Sequence, residues 1–137
     1  MRFETADGTL EVEITNLVIA GWTGRNAAAV EHHIAELAEI GVPPPSAVPL
    51  FYRVSEMLAT QASVLQVLGD ATSGEVEPLV VKTGDRLWLG IASDHTDREL
   101  ESVSVASSKQ VSGSAVPLAA STSVTTALAR GARAMVL

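Results

Sequence analysis

The sequence predicts a mainly β chain with added helix, an α+β fold, and three observations predict it. Apolar and polar residues alternate over 9–14, a hairpin pattern spans 77–92, and one clear helical period covers about 26–40. In the first segment Leu10, Val12 and Ile14 share one face while Glu11 and Glu13 take the other, with Asp7-Gly8 as the turn before them. Asn16 interrupts, and Leu17-Val18-Ile19-Ala20 reads as a second, more deeply buried strand that leaves through a loop at 21–26.

The helix rests on Val30, Ile34, Leu37 and Ala38 at helical spacing among alanines. Thr23 or Asn26 can cap its start, and Gly41 followed by Pro43-Pro44-Pro45 ends it. Residues 48–54 read as a strand, as does the run 63–68 up to Gly69-Asp70. Residues 77–81 and 87–92 then flank a hairpin loop at 82–86, with Pro78 fitting an edge or bulge. Residues 101–106 alternate again and predict a further strand. From 111 to 137 the chain has no acid and only two bases, Arg130 and Arg133, amid Ala, Ser, Thr and Val. Its 122–135 segment suggests only a poorly patterned helix. The sequence therefore divides into one domain over 1–110 and a low-complexity tail over 111–137.

Composition excludes several functions. With 47% apolar and 18% charged residues the chain is no disordered polyelectrolyte. A net charge of −7 and scattered bases exclude nucleic acid or an anionic membrane as the main partner. There is no cysteine, hence no disulfide, thiolate metal site or cysteine nucleophile. The N-terminal residues carry charges throughout, and no apolar run reaches the roughly 18 residues of a membrane span. A soluble, cytoplasmic protein is expected.

The chemistry concentrates between Gly74 and Glu101. Glu75 and Glu77 share a face if that segment is a strand, and two adjacent carboxylates repel unless a cation or a proton lies between them. Asp94, where the return strand ends, could complete a three-carboxylate oxygen site suited to Mg²⁺ or Mn²⁺. Spacing alone favours the plainer reading, two solvated glutamates on an edge strand. Likewise His33 and Glu36, three apart on a helix, read by themselves as a solvated pair.

In order along the chain, these pieces resemble the fumarylacetoacetate hydrolase superfamily, and more closely an uncharacterised bacterial family related to it. Gly24-Arg25-Asn26 precedes a helix with the His-x-x-Glu pair His33 and Glu36. Phe51-Tyr52-Arg53 stands for Phe-x-Lys, and Glu75-Val76-Glu77 for Glu-x-Glu. Ser93-Asp94-His95-Thr96-Asp97-Arg98-Glu99 is similar to Asn-Asp-x-Ser-x-Arg-Asp, with Lys109 for a lysine that follows. The match covers most of 17–110.

The resemblance implies a mixed, barrel-like sheet and a divalent cation, Mg²⁺ or Mn²⁺ or else Ca²⁺, held by Glu75, Glu77 and Asp94. It implies a hydrolase or lyase that cleaves, decarboxylates or hydrates a small 2-oxo or 1,3-diketo acid through a stabilised enolate. His33, oriented by Glu36, would be the base, with Lys109 beside the developing negative charge. Arg25, Phe51, Arg53 and Arg98 would contact substrate. Three departures stand out: a short gap between Glu77 and Asp94, arginine for lysine at 53, and a tail over 111–137 that has the look of a truncated or frame-shifted end. The last of these predicts exposed sheet surface and self-association as a homodimer or larger assembly. Its functional counterpart is an inactive, truncated relative serving as an oligomeric binding or structural protein.

Overall fold

A computed structural model describes residues 1–112, 114–115, 120–125 and 133–136 of the chain. The strands are β1 (Arg2–Thr5), β2 (Gly8–Glu11), β3 (Leu17–Gly21), β4 (Leu50–Val54), β5 (Ala59–Thr60), β6 (Thr72–Thr83), β7 (Arg86–Asp97), β8 (Ser114–Ala115), β9 (Ala120–Thr125) and β10 (Arg133–Val136). The helices are α1 (Ala27–Glu39), α2 (Arg98–Glu101) and α3 (Val105–Val111). The fold is thus mixed α+β and mostly strand, as the alternation predicts.

β1 and β2 form a small hairpin of their own. The remaining strands make one mixed sheet in the order β4-β3-β10-β6-β7-β8-β5, with β9 also on β7. The ends of that order, β4 and β5, are not paired to each other, so no closed barrel forms among the described residues. The backbone of the sheet is the β6–β7 hairpin, paired without a break from Thr72 opposite Asp97 to Thr83 opposite Arg86. It is longer than the sequence pattern suggests, and Gly84 turns it at φ 56°, a left-handed conformation that a glycine tolerates without strain.

Side chains alternate across this sheet, so one face collects Leu17, Ile19, Val54, Leu79, Val81, Trp88 and Ala92, covered by Phe3 and Ile14. Near the turn, Trp88 Nε1 donates to Thr83 Oγ1 at 2.8 Å and the Arg86 guanidinium lies 4.2 Å from the indole centroid. Moving away from the turn, the same face becomes acidic. Leu79 is followed by Glu77 and Glu75, and Ala92 by Asp94. The described pairing of β10 reaches Val136, opposite Leu79 on β6 and Ile19 on β3. Beyond that row β3 and β6 run on with no described strand between them, and Pro78 lies in that stretch of β6.

Two expected strands are absent. Residues 63–68 form no strand and pair with none of the described strands; Val64 and Leu68 are exposed. Residues 101–106 are helix ends and a turn instead. Asp97 accepts a bond from Leu100 N and Ser104 one from Ser107 N, so side-chain caps start α2 and α3 and win over a short Val-Ser-Val alternation. The suggested helix over 122–135 meets β9 at its start and β10 at its end, and its middle, 126–132, lies outside the described residues.

α1 agrees with its expected limits. Asn26 Oδ1 accepts from Ala29 N at 3.2 Å, and Gly41 follows at φ 94°. The helix buries no residue completely. Val30, Ile34 and Leu37 are half-buried, and the helix forms one wall of a cleft whose opposite side is the acidic end of the sheet.

Candidate active site

The cleft has a volume of about 610 Å³ and opens where β3 and β6 part. Its floor carries Glu75 and Glu77 from β6 and Asp94 from β7, with Glu75 directly opposite Asp94. α2 and α3 add Arg98, Glu101 and Lys109; the α1 side adds Arg25 and His33; Trp22 and Tyr52 close the far side.

Two cations hold these acids. Lys109 Nζ donates to Asp94 Oδ2 and, at 2.8 Å, to Thr96 Oγ1. Both ends of this ion pair are nearly dry, the side chains of Lys109 and Asp94 being 10% and 5% exposed. Gln110 Oε1 accepts from Ser55 N at 3.1 Å, which pins α3 to the end of β4 and so fixes where Lys109 reaches. Arg98 is a fork: Nη2 donates to Glu75 Oε1 at 2.9 Å, Nη1 to Glu101 Oε2 at 3.1 Å and Nε to Ser73 Oγ at 2.6 Å. Burial alone would lower the Arg98 pKa, but the bond to Glu101 and the charges of Glu75 and Glu101 outweigh it and raise it further.

The acids remain undercompensated. Burial, then the charges of Glu75 and Asp94, push the Glu77 carboxyl above its ordinary range, with Lys109 offsetting only part. Burial likewise raises Asp94 against the opposing pull of Lys109. Asp94 Oδ1 is buried with no hydrogen-bond partner among the described residues. Three carboxylates with one unspent buried oxygen are the donor chemistry of a hard divalent cation. In the present arrangement Glu75 turns to Arg98 and Asp94 to Lys109, and no three His, Asp or Glu among the described residues converge as a ready metal cluster.

Of the residues singled out in the sequence, the fold brings Arg25, His33, Glu75, Glu77, Asp94, Arg98 and Lys109 to this one cleft. Glu36 stays on the outer surface of α1, 3.3 Å from His32 Nε2 and 3.8 Å from His33 Nδ1. Phe51 and Arg53 are exposed and not part of its lining. The residue between them, Tyr52, is part of it, because alternation along β4 sends 52 inward with buried Val54. Glu101 and Trp22 also join the site. Glu101 is three residues after Arg98 on a helix, a signal the sequence does carry.

A family model described as "Protein of unknown function (DUF2848)" matches residues 20–123. The chain belongs to that family. The DUF2848 match runs from the end of β3 into β9 and so contains every charged residue of the cleft. Among curated proteins none matches the chain. A crystal structure described as "a putative fumarylacetoacetate isomerase/hydrolase from Oleispira antarctica" shares the fold at a TM-score of 0.53 and 20% identity, over 95% of this chain and 62% of that one. The DUF2848 chain thus spans less than two thirds of that protein's length.

Proposed function

We propose that this cleft binds a small 2-oxo or 1,3-diketo acid together with Mg²⁺ or Mn²⁺, and that the protein is a hydrolase or lyase of such acids. One observation carries the reading: Asp94, buried beside Glu75 and Glu77, keeps an oxygen that no described residue satisfies. Glu75, Glu77 and Asp94 would hold the cation, which when bound polarises the oxo group of the acid. Arg25, Arg98 and Lys109 offer positive charge to the substrate carboxylate and to negative charge that develops beside it. His33, on the α1 side, would take the proton from an attacking water, its ring steadied by Glu36. The described likeness to a fumarylacetoacetate isomerase/hydrolase supports this choice at the level of the fold.

Isothermal titration with Mg²⁺ and then oxalate, a planar dianion that resembles the enolate of a 2-oxo acid, tests it. Oxalate binding is expected to require the cation and to disappear in Asp94→Asn. Failure of both to bind the native chain at millimolar concentration overturns the reading.

The sheet's outer face supports a further part of the proposal, a second copy as partner. Val76, Leu89 and Ile91 stand 79%, 45% and 56% exposed beside exposed Pro78, an apolar row with no charge in it. Chains of net charge −7 repel, so two copies approach most easily across a surface free of acid. The paired, antiparallel β6–β7 face can meet its own two-fold copy row on row. Sedimentation is expected to show a dimer that Ile91→Lys converts to monomer with oxalate binding retained; a native chain that stays monomeric at tens of micromolar refutes the pairing.

A further inference from the structure

Trp22 is the one described residue other than glycine with a positive φ, 60°, just after β3. That backbone region is uncommon for a bulky residue, and such outliers gather where a side chain must be aimed. Here the ring is held on two sides. Its Nε1 donates to the Tyr52 hydroxyl at 2.9 Å, and its face tilts 45° against the His33 ring at 5.9 Å between centroids. Tyr52 is seated just as tightly: a Cβ on Gly21 would stand 2.8 Å from its Cε2, so the phenol lies directly on glycine backbone. Among the described residues nothing accepts the Tyr52 hydroxyl proton, which leaves it for a ligand. Ile19, Val30 and Leu37 complete an apolar end of the cleft.

This end lies across the cleft from Glu75, Glu77 and Asp94. β3 and β6 are both neighbours of β10, so they lie two strand spacings apart, about 10 Å, and β4 adds another. A three-carbon oxo acid, two C–C bonds of about 1.5 Å each, cannot touch both ends. A cleft of about 610 Å³ is instead of the size that holds a ligand with a sizeable apolar body.

We propose that Trp22 and Tyr52 form an aryl subsite, so that the cleft's ligand is a 2-oxo acid carrying a planar aromatic group beyond its oxo carbon. The inference rests on the functional reading above for the acid end and adds the identity of the other end. The acid head lies over β6 and β7, the aromatic ring packs on the indole edge or face, and the Tyr52 proton is available to a polar substituent on that ring. Gly21 keeps the phenol low enough for the ring to enter.

The test titrates the Mg²⁺-loaded chain with oxalate, pyruvate and phenylpyruvate, by calorimetry and by tryptophan fluorescence. Phenylpyruvate is expected to bind about tenfold more tightly than pyruvate, from burial of its ring, and to quench emission. Trp22→Gly, which suits the left-handed backbone, should erase the phenylpyruvate advantage and the quenching while oxalate binds as before. Tyr52→Phe, which keeps the phenyl ring but removes the acceptor that holds the Trp22 indole in place, should reduce the phenylpyruvate advantage with oxalate binding retained, and serves if the glycine variant does not fold. Oxalate binding with no preference for phenylpyruvate overturns the aryl subsite by itself. Loss of oxalate binding in the native chain overturns the functional reading, and the subsite with it.

Discussion

Replacing Lys109 by methionine is expected to cost about 3 kcal/mol of folding stability at neutral pH, the scale for removing one partner of a buried ion pair. Methionine keeps the length and apolar stem of the lysine but leaves Asp94, 5% exposed, as a buried charge, and strips Thr96 of its donor. The loss depends on pH, with a sign that can be worked out. Asp94 already has its folded pKa raised above the ordinary 3.8, by burial first. An acid of this kind binds its proton longer in the folded than in the unfolded chain, so its contribution to stability falls as pH rises from 3.8 through the raised value. Without Lys109 that pKa rises further. The variant should therefore sit close to the native chain near pH 4 and fall away from it by pH 7.5, in urea unfolding midpoints taken at each. Adding Asp94→Asn to the variant should recover much of the loss, because no charge is then left unpaired. An equal loss at both pH values would mean that packing, not the ion pair, is what Lys109 supplies.

Much of this arrangement is legible in the sequence wherever a regular pattern and its stop signals coincide. α1 has a cap at Asn26, a half-buried stripe and a glycine stop, and its limits follow. The β6–β7 hairpin shows because its two faces differ in a two-residue period. Legibility fails where a side chain decides. Asp97 and Ser104 turn an alternating stretch into α2 and α3, and only tertiary contacts show that α3 brings Lys109 back to Asp94, fifteen residues away. The 63–68 run is apolar enough for a strand, but a strand also needs a partner, which no local pattern reveals. At the site, residue types in order bring out Glu75, Glu77, Asp94, Arg98 and Lys109. They also draw in Phe51 and Arg53, whose shared parity with one another and against buried Val54 puts Tyr52 inward in their place. The left-handed backbone at Trp22 leaves no trace in residue order at all.

Arg98→Met is expected to separate two roles that one guanidinium now combines. For stability, the change strands Glu101, whose side chain is 12% exposed, and should cost about 2 kcal/mol, read from the shift of the urea midpoint. Arg98→Lys should restore little of it: one ammonium cannot serve Glu75, Glu101 and Ser73 from three nitrogens in a plane. For binding, the two ligands should move in opposite directions. With its arginine gone, Glu75 is free to turn toward Glu77 and Asp94, which lowers the work of gathering three carboxylates, so Mg²⁺ affinity should rise. Oxalate, in contrast, loses a positive neighbour and should bind the Mg²⁺-loaded variant more weakly. Parallel losses of both affinities would point to a collapse of the site; unchanged affinities would remove Arg98 from it. Opposed changes would mean that the native fork holds the acids apart until a cation competes for Glu75, which accounts for why carboxylates facing one cleft do not already converge.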